Sequence, residues 1–239
     1  MIRILDETGS TNADLLALGR DAREGDWLVA RRQTEGKGRA GRRWEDGAGN
    51  FMGSTVVIVR PGDPLPQTLA LVTGLAVAVA VGAVPGSPDG MLKWPNDLLV
   101  DGAKLAGILL ERAGDCVVIG VGLNLLRAPD VPGRKTTALA DHGAGIDPCD
   151  FAELLADCFA ATLARWRGGA WDALREAWLA RAHPIGTPLS VNDRDGQPIT
   201  GTFAGLGGDG AALLRLADGT TRPIHAGDVE LVGNNASRA

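Results

Sequence analysis

The chain has 239 residues, of which 45% are hydrophobic, and a formal net charge of −5. That is enough apolar material for one medium domain plus a small one, and it excludes a disordered chain. The acidic balance excludes a broad nucleic-acid surface, which needs an excess of Lys and Arg.

The N-terminus, "MIRILDETGSTN", has no apolar core of signal-peptide length. Ser10, Thr11 or Asn12 can cap a helix whose apolar side is Leu15, Leu16 and Leu18. "DWLVARRQ" reads as a short strand ending at Gln33, and a glycine-rich loop follows. "FMGSTVVIVR" is the next strand, its β-branched run marking burial. Residues 69–84, "LALVTGLAVAVAVGAV", are nearly uncharged. They fall short of the ~20 apolar residues that a bilayer span needs, and a helix hydrophobic all round is expected in a core. "MLKWPNDLLVDGAKLAGILLE" is two strand-like runs around a "DGA" hairpin signal. "CVVIGVGLNL" is another buried strand, thinned by Gly120 and Gly122 where something can approach the backbone closely. "DFAELLADCFAATLARW" and "AWDALREAWLARA" have helical spacing. Near residue 184 the texture changes to short strands separated by "DRDG", "GGDG" and "ADG" turns, the pattern of a small β-barrel or sandwich.

Cys116, Cys149 and Cys158 form no CxxC pair and are odd in number, which points to free thiols in a reducing compartment. His142, His183 and His225 lack metal-ligand spacing and read as ordinary histidines. A cytoplasmic protein without membrane association is the expectation.

The loop "TEGKGRAGRRWEDGAGN", residues 34–50, places Gly36, Gly38 and Gly41 at GxGxxG spacing among Lys37, Arg39, Arg42 and Arg43. A dinucleotide fingerprint would open a helix, and no helical stripe follows. A Walker A loop would need Ser or Thr after Lys37, where Gly38 stands. Two readings remain from the residues: a solvated basic loop, or a loop that orders over an anion. Glycines allow close approach, guanidinium groups fork onto phosphate, and Trp44 offers a flat face for a base. "KWPND", residues 93–97, gathers a cation, an aromatic, a rigid proline, an amide and a carboxylate. Lys104 enters an otherwise apolar strand, with Gly107 three residues on.

"GSTN", "TEGKGRAGRRW", "KWPND", "KLAGILLE" and "GVGLN" occur in the order seen in biotin–protein ligases, and the chain resembles that family from Ser10 to Asn124 in motif. The resemblance implies an α+β fold: a catalytic domain similar to the class II aminoacyl-tRNA synthetase core, with a mixed sheet and flanking helices, then an SH3-like barrel. The boundaries expected are 1–185 and 186–239. It implies activation of biotin by ATP to biotinyl-5′-AMP and transfer to a lysine of a biotin carboxyl carrier domain of a carboxylase.

By the same resemblance Ser10, Thr11, Asn12 and Gln33 match the biotin segment. Gly36, Lys37, Gly38 and Arg39 match the loop over biotin, with Lys37 where the family's usual residue is arginine. Gly107, Gly120 and Gly122 match positions of close approach. Lys104 matches the lysine that meets the biotin carboxylate and acyl phosphate, and with Arg39 makes the catalytic pair. Arg39, Arg42, Trp44, Lys93, Asn96, Asp97 and Asn124 match the ATP side. Mg²⁺ would be held mainly by ATP phosphates, with Asn96 or Asp97 as protein oxygens.

Lipoate or octanoate transfer is the nearest rival, since those enzymes share the catalytic fold, and the basic loop with "KWPND" favours biotin. A non-catalytic biotin-binding module is disfavoured by Arg39, Lys93 and Lys104. Only nine residues precede Ser10, too few for a helix-turn-helix, so DNA binding is not expected.

Overall fold

The computed structural model of the protein describes residues 1–45, 47–192 and 198–231. Seven strands form one mixed sheet: β1 (Ile2–Leu5), β2 (Trp27–Ala30), β3 (Phe51–Ile58), β4 (Met91–Lys93), β5 (Asp97–Val100), β6 (Ala103–Ala113) and β7 (Cys116–Leu123). Their order is β1-β2-β3-β7-β6-β5-β4, antiparallel throughout except for the parallel β1–β2 pair. Four helices flank it: α1 (Thr11–Leu18), α2 (Leu69–Gly82), α3 (Pro148–Arg167) and α4 (Trp171–Leu179). A second sheet, β8 (Pro188–Asn192), β9 (Pro198–Leu206), β10 (Ala212–Arg215), β11 (Thr221–Ile224) and β12 (Asp228–Leu231), is antiparallel in the order β11-β10-β9-β8-β12.

Strand alternation divides the large sheet into two faces. Phe51, Val57, Val117, Ile119 and Val121 join the main core beneath α2 and α3. α2 is buried along most of its length, as its lack of a polar side requires. On the opposite face Leu28, Val56 and Val118 pack with Leu15 of α1 in a smaller cluster. α1 is only eight residues long, so it covers part of that face and leaves the remainder open.

Three elements differ from the sequence expectation. β1 carries no strong strand signal, and it forms because parallel pairing with β2 satisfies its backbone. β2 ends at Ala30 rather than Gln33, which makes only an isolated bridge to Thr8. The first run of the expected hairpin is itself two strands, β4 and β5, turning at Trp94-Pro95-Asn96 around a cis Trp94-Pro95 bond. Pro95 has no N–H to continue a ladder, so the break falls there. The "DRDG" turn and the "GNNASRA" tail lie outside the described residues.

The two sheets are tied by Trp94 Nε1 donating to Gly210 O at 3.0 Å and by the His183 ring, edge-on to Phe203 with centroids 4.3 Å apart. His183 is 2% exposed, and neither ring nitrogen has a hydrogen-bond partner among the described residues. Burial first, and the Lys93 charge second, hold its pKa below the usual 6.5. The unfolded chain therefore binds a proton at His183 before the folded protein does. Stability is fully present above pH 6.5 and falls as pH drops below it, by at most about 1.4 kcal/mol per pH unit from this group. His183→Met is expected to flatten that part of the profile in urea unfolding from pH 5 to 8. An unchanged slope would assign the acid sensitivity elsewhere.

Candidate active site

Three glycines and a serine stand in the floor of the open part of the sheet face. In register across β3, β7 and β6 stand Ser54, Gly120 and Leu109, and beside them Met52, Gly122 and Gly107. Ser54, Gly107, Leu109, Gly120 and Gly122 of this floor line a cleft of about 660 Å³. The glycine loop, the "KWPND" turn, Lys104 and residues 129–136 wall it, and Asn192, Val229, Glu230 and Leu231 reach it from the second sheet.

One end is neutral and polar. Ser10 caps α1 through Ala13 N, which leaves Thr11 and Asn12 in the first turn, buried against the sheet. Thr11 N donates to Gln33 Oε1 at 2.8 Å, and Thr11 Oγ1 lies 3.0 Å from the same oxygen and 2.6 Å from Ser54 Oγ. Ser54 Oγ donates to Asn12 Oδ1 at 2.6 Å. Asn12 lies directly over Gly120, where a β-carbon would stand 2.5 Å from its Oδ1. Ser54 was not identified from the sequence. It sits in a β-branched run, and its position opposite Gly120 is a matter of register.

The other end is cationic. Lys104 Nζ lies 2.6 Å from Asp97 Oδ1, and 5.6 Å from the centroid of the Trp44 ring. Arg39 donates through Nη1 to Asn96 Oδ1 and through Nη2 to Gly227 O, each at 3.1 Å. Asn96 Nδ2 is fixed on Ile108 O at 2.7 Å. Lys37, Arg42 and Lys93 also line this end. The loop is folded on itself: Trp44 N donates to Gly36 O, Gly38 N donates to Arg42 O, and Lys37 and Arg43 form an isolated bridge. Ala40 takes a φ of 54°, a left-handed conformation uncommon for a residue with a β-carbon.

Two of the sequence-identified residues that line the cleft, Trp44 and Asn124, also pack against the protein itself. Trp44 lies flat on the floor between the two ends. A β-carbon at Gly122 would be 2.4 Å from its ring and one at Gly107 3.2 Å, so those glycines make room for the indole. Its Nε1 is buried with no hydrogen-bond partner among the described residues. Asn124 is 2% exposed, and its amide donates to Thr137 O at 3.0 Å and Lys104 O at 3.4 Å, tying β7's end to the wall. No group of three or more His, Cys, Asp or Glu among the described residues could hold a metal ion. Asp97 is the carboxylate within the cation cluster, a donor set that suits a metal carried in on phosphates rather than one held by the protein alone. No helix among the described residues is long and apolar enough to cross a membrane.

Comparison with known proteins agrees with this arrangement. Residues 6–124 match the biotin/lipoate A/B protein ligase family, and residues 185–232 match the biotin protein ligase C-terminal domain. A biotin–acetyl-CoA-carboxylase ligase of Paracoccus denitrificans is 37% identical over 224 residues, covering 89% of this chain and 93% of its own. The ligase of the same name from Mycobacterium tuberculosis is 38% identical over 234 residues, covering 95% and 87%. The solved biotin protein ligase of Aquifex aeolicus in complex with biotin and ATP superposes with a TM-score of 0.85 at 24% identity, covering 96% of this chain and 98% of that one, which supports the fold. The polar end, the cationic end and these full-length likenesses converge: the chain belongs to the biotin protein ligases of the biotin/lipoate A/B protein ligase family.

Proposed function

We infer that the protein joins biotin to a carrier lysine in two steps at this cleft. The biotin carboxylate attacks the α-phosphorus of ATP, forming biotinyl-5′-AMP and releasing pyrophosphate. The acceptor lysine amine then attacks the acyl carbon, AMP departs, and the amine loses its proton. The observation that carries this reading is the polarity of one continuous cleft. A neutral hydrogen-bonding end at Thr11, Gln33 and Ser54 suits a ureido ring. The cationic end at Lys104 and Arg39 suits a carboxylate meeting a phosphate.

Bringing two anions together is the electrostatic difficulty of the first step, and preorganised cations in a site shielded from water reduce it most. We assign Lys104 and Arg39 to that task, Arg42, Lys93, Asn96 and Asp97 to the nucleotide side, and Ser10, Thr11, Asn12 and Gln33 to biotin. Gly36, Lys37 and Gly38 form the loop over it. Gly107, Gly120 and Gly122 let the floor be approached. Trp44 stands between the two ligands, and Asn124 supports the wall that carries Lys104. Mg²⁺, arriving on the phosphates with Asp97 or Asn96 as its protein oxygen, would supply neutralisation of phosphate charge. The mixed anhydride is already activated, so no protein nucleophile is required.

Residues 1–185 form the catalytic unit in this reading and residues 186–239 the SH3-like unit that closes one wall. The acceptor is a biotin carboxyl carrier domain of a carboxylase. Cytoplasmic residence is consistent with an ATP requirement and with free Cys116, Cys149 and Cys158. The test is incubation with ATP, Mg²⁺, biotin and a carrier domain, followed by intact-mass measurement. A carrier that gains no mass from a folded preparation, or that gains lipoate in preference to biotin under competition, would sink the reading.

A further inference from the structure

Beyond the residues that line the cleft, the polar end continues backwards to a carboxylate. Asn12 Nδ2 donates to Glu111 Oε2 at 2.8 Å. Glu111 lies on β6 on the same sheet face as Leu109 and Gly107, and it does not itself line the cleft. Asn12 reaches it only because Gly120 leaves β7 bare at the crossing, where a β-carbon would stand 2.5 Å from the Asn12 amide oxygen. The result is one chain of contacts, Glu111–Asn12–Ser54–Thr11–Gln33, spanning α1, β3 and β6.

Proton counting gives that chain a direction. Between Gln33 and Asn12 there are three oxygen–oxygen contacts, at 3.0, 2.6 and 2.6 Å. Thr11 and Ser54 bring one hydroxyl proton each. A carboxylate only accepts, so it takes the Asn12 amide hydrogens and turns Oδ1 toward Ser54. Ser54 must then donate to Asn12. Its oxygen is left as the acceptor at the short contact with Thr11, and Thr11 donates there. Gln33 Oε1 is satisfied by Thr11 N at 2.8 Å. Both hydroxyl protons run toward Glu111, and each hydroxyl, on a residue that lines the cleft, keeps an acceptor site that no donor among the described residues fills.

We propose that Glu111 is a positioning residue for biotin: through Asn12 it sets the hydroxyls of Ser54 and Thr11 as acceptors for the ureido N–H groups. This rests on the biotin-ligase reading and deepens it. Without an acceptor at 111 the Asn12 amide is free to turn over, present Nδ2 to Ser54 and reverse both hydroxyls. The effect belongs to the ureido end alone, since the cation cluster at Lys104 and Asp97 is separate.

The experiment uses the full chain, with biotin and ATP affinities from titration calorimetry and steady-state constants beside them. Glu111→Met removes the acceptor at similar length. It is expected to weaken biotin about tenfold, raising KM for biotin, with kcat and KM for ATP held within about twofold. Glu111→Gln keeps an acceptor oxygen and is expected to stay near wild type. Ser54→Ala breaks the chain at its centre and serves if Glu111→Met does not fold; a similar loss is expected, and the double variant should lose no more than either single one. Wild-type biotin affinity in Glu111→Met or in Ser54→Ala overturns the inference, as does equal loss in Glu111→Gln and Glu111→Met. A wild-type chain that binds no biotin overturns the parent reading and this one with it, which is a distinguishable result.

Discussion

Replacing Lys104 with alanine is expected to lower adenylate formation by about 10²–10³-fold, with a melting temperature within about 4 °C of wild type. The size of the effect follows from what surrounds the ammonium. Its Nζ sits 2.6 Å from Asp97 and the side chain is 21% exposed, so little water screens it. On the proposed reading, removing it subtracts a cation from the place where the biotin carboxylate meets the α-phosphate. It also leaves the Asp97 carboxylate uncompensated in the cleft, facing the incoming phosphate. The second contribution is separable. Lys104→Ala combined with Asp97→Asn should recover part of the lost rate if carboxylate repulsion contributes, and should recover none if the ammonium acts alone. Pyrophosphate release measures both variants. Near-normal release in Lys104→Ala would remove the lysine from the catalytic pair.

The second large effect concerns retention rather than formation. Arg39→Gly should still form adenylate, because Lys93 and Lys104 remain, but should release it ten- to a hundredfold faster, the factor expected for about 1.5–3 kcal/mol of charged hydrogen bonding. Arg39 is the side chain by which the loop grips both Asn96 and Gly227. Glycine removes the fork and adds backbone freedom beside Ala40, which already holds a left-handed conformation. Escaped anhydride acylates any nearby amine, so a mixed-protein sample should become biotinylated broadly where wild type labels its carrier almost alone. A variant that makes adenylate yet labels only the carrier would show that another element retains the intermediate.

Much of this architecture was legible in the residue pattern. α2, α3 and the barrel strands announce themselves through composition and period, because burial on one side or all round is a local requirement of the sequence. The motif residues Thr11, Gln33, Arg39, Asn96 and Lys104 do meet around one cleft. What could not be read was register. Nothing local says that Ser54 lies opposite Gly120, or that Asn12 crosses Gly120 to reach Glu111, since those neighbours come from α1, β3, β7 and β6. β1 escaped notice for a related reason: four residues at a sheet edge carry little pattern of their own. Trp44 is a further case: its type offers a flat face, but its seat on Gly107 and Gly122 depends on the register of β6 and β7.

The contact between Arg39 and Gly227 joins residues 188 apart in sequence. Most of the packing that stabilises the large sheet is settled among nearer neighbours, β3 with β7, β7 with β6, and α2 with α3. Closing so long a segment has an entropic cost that shorter-range pairs do not meet. The anchor therefore depends on the second sheet being in place: whatever loosens β12 or the turn before it also takes away one of the two holds that Arg39 gives the glycine loop. Damage far along the chain can in this way be felt at the cleft without touching any residue that lines it.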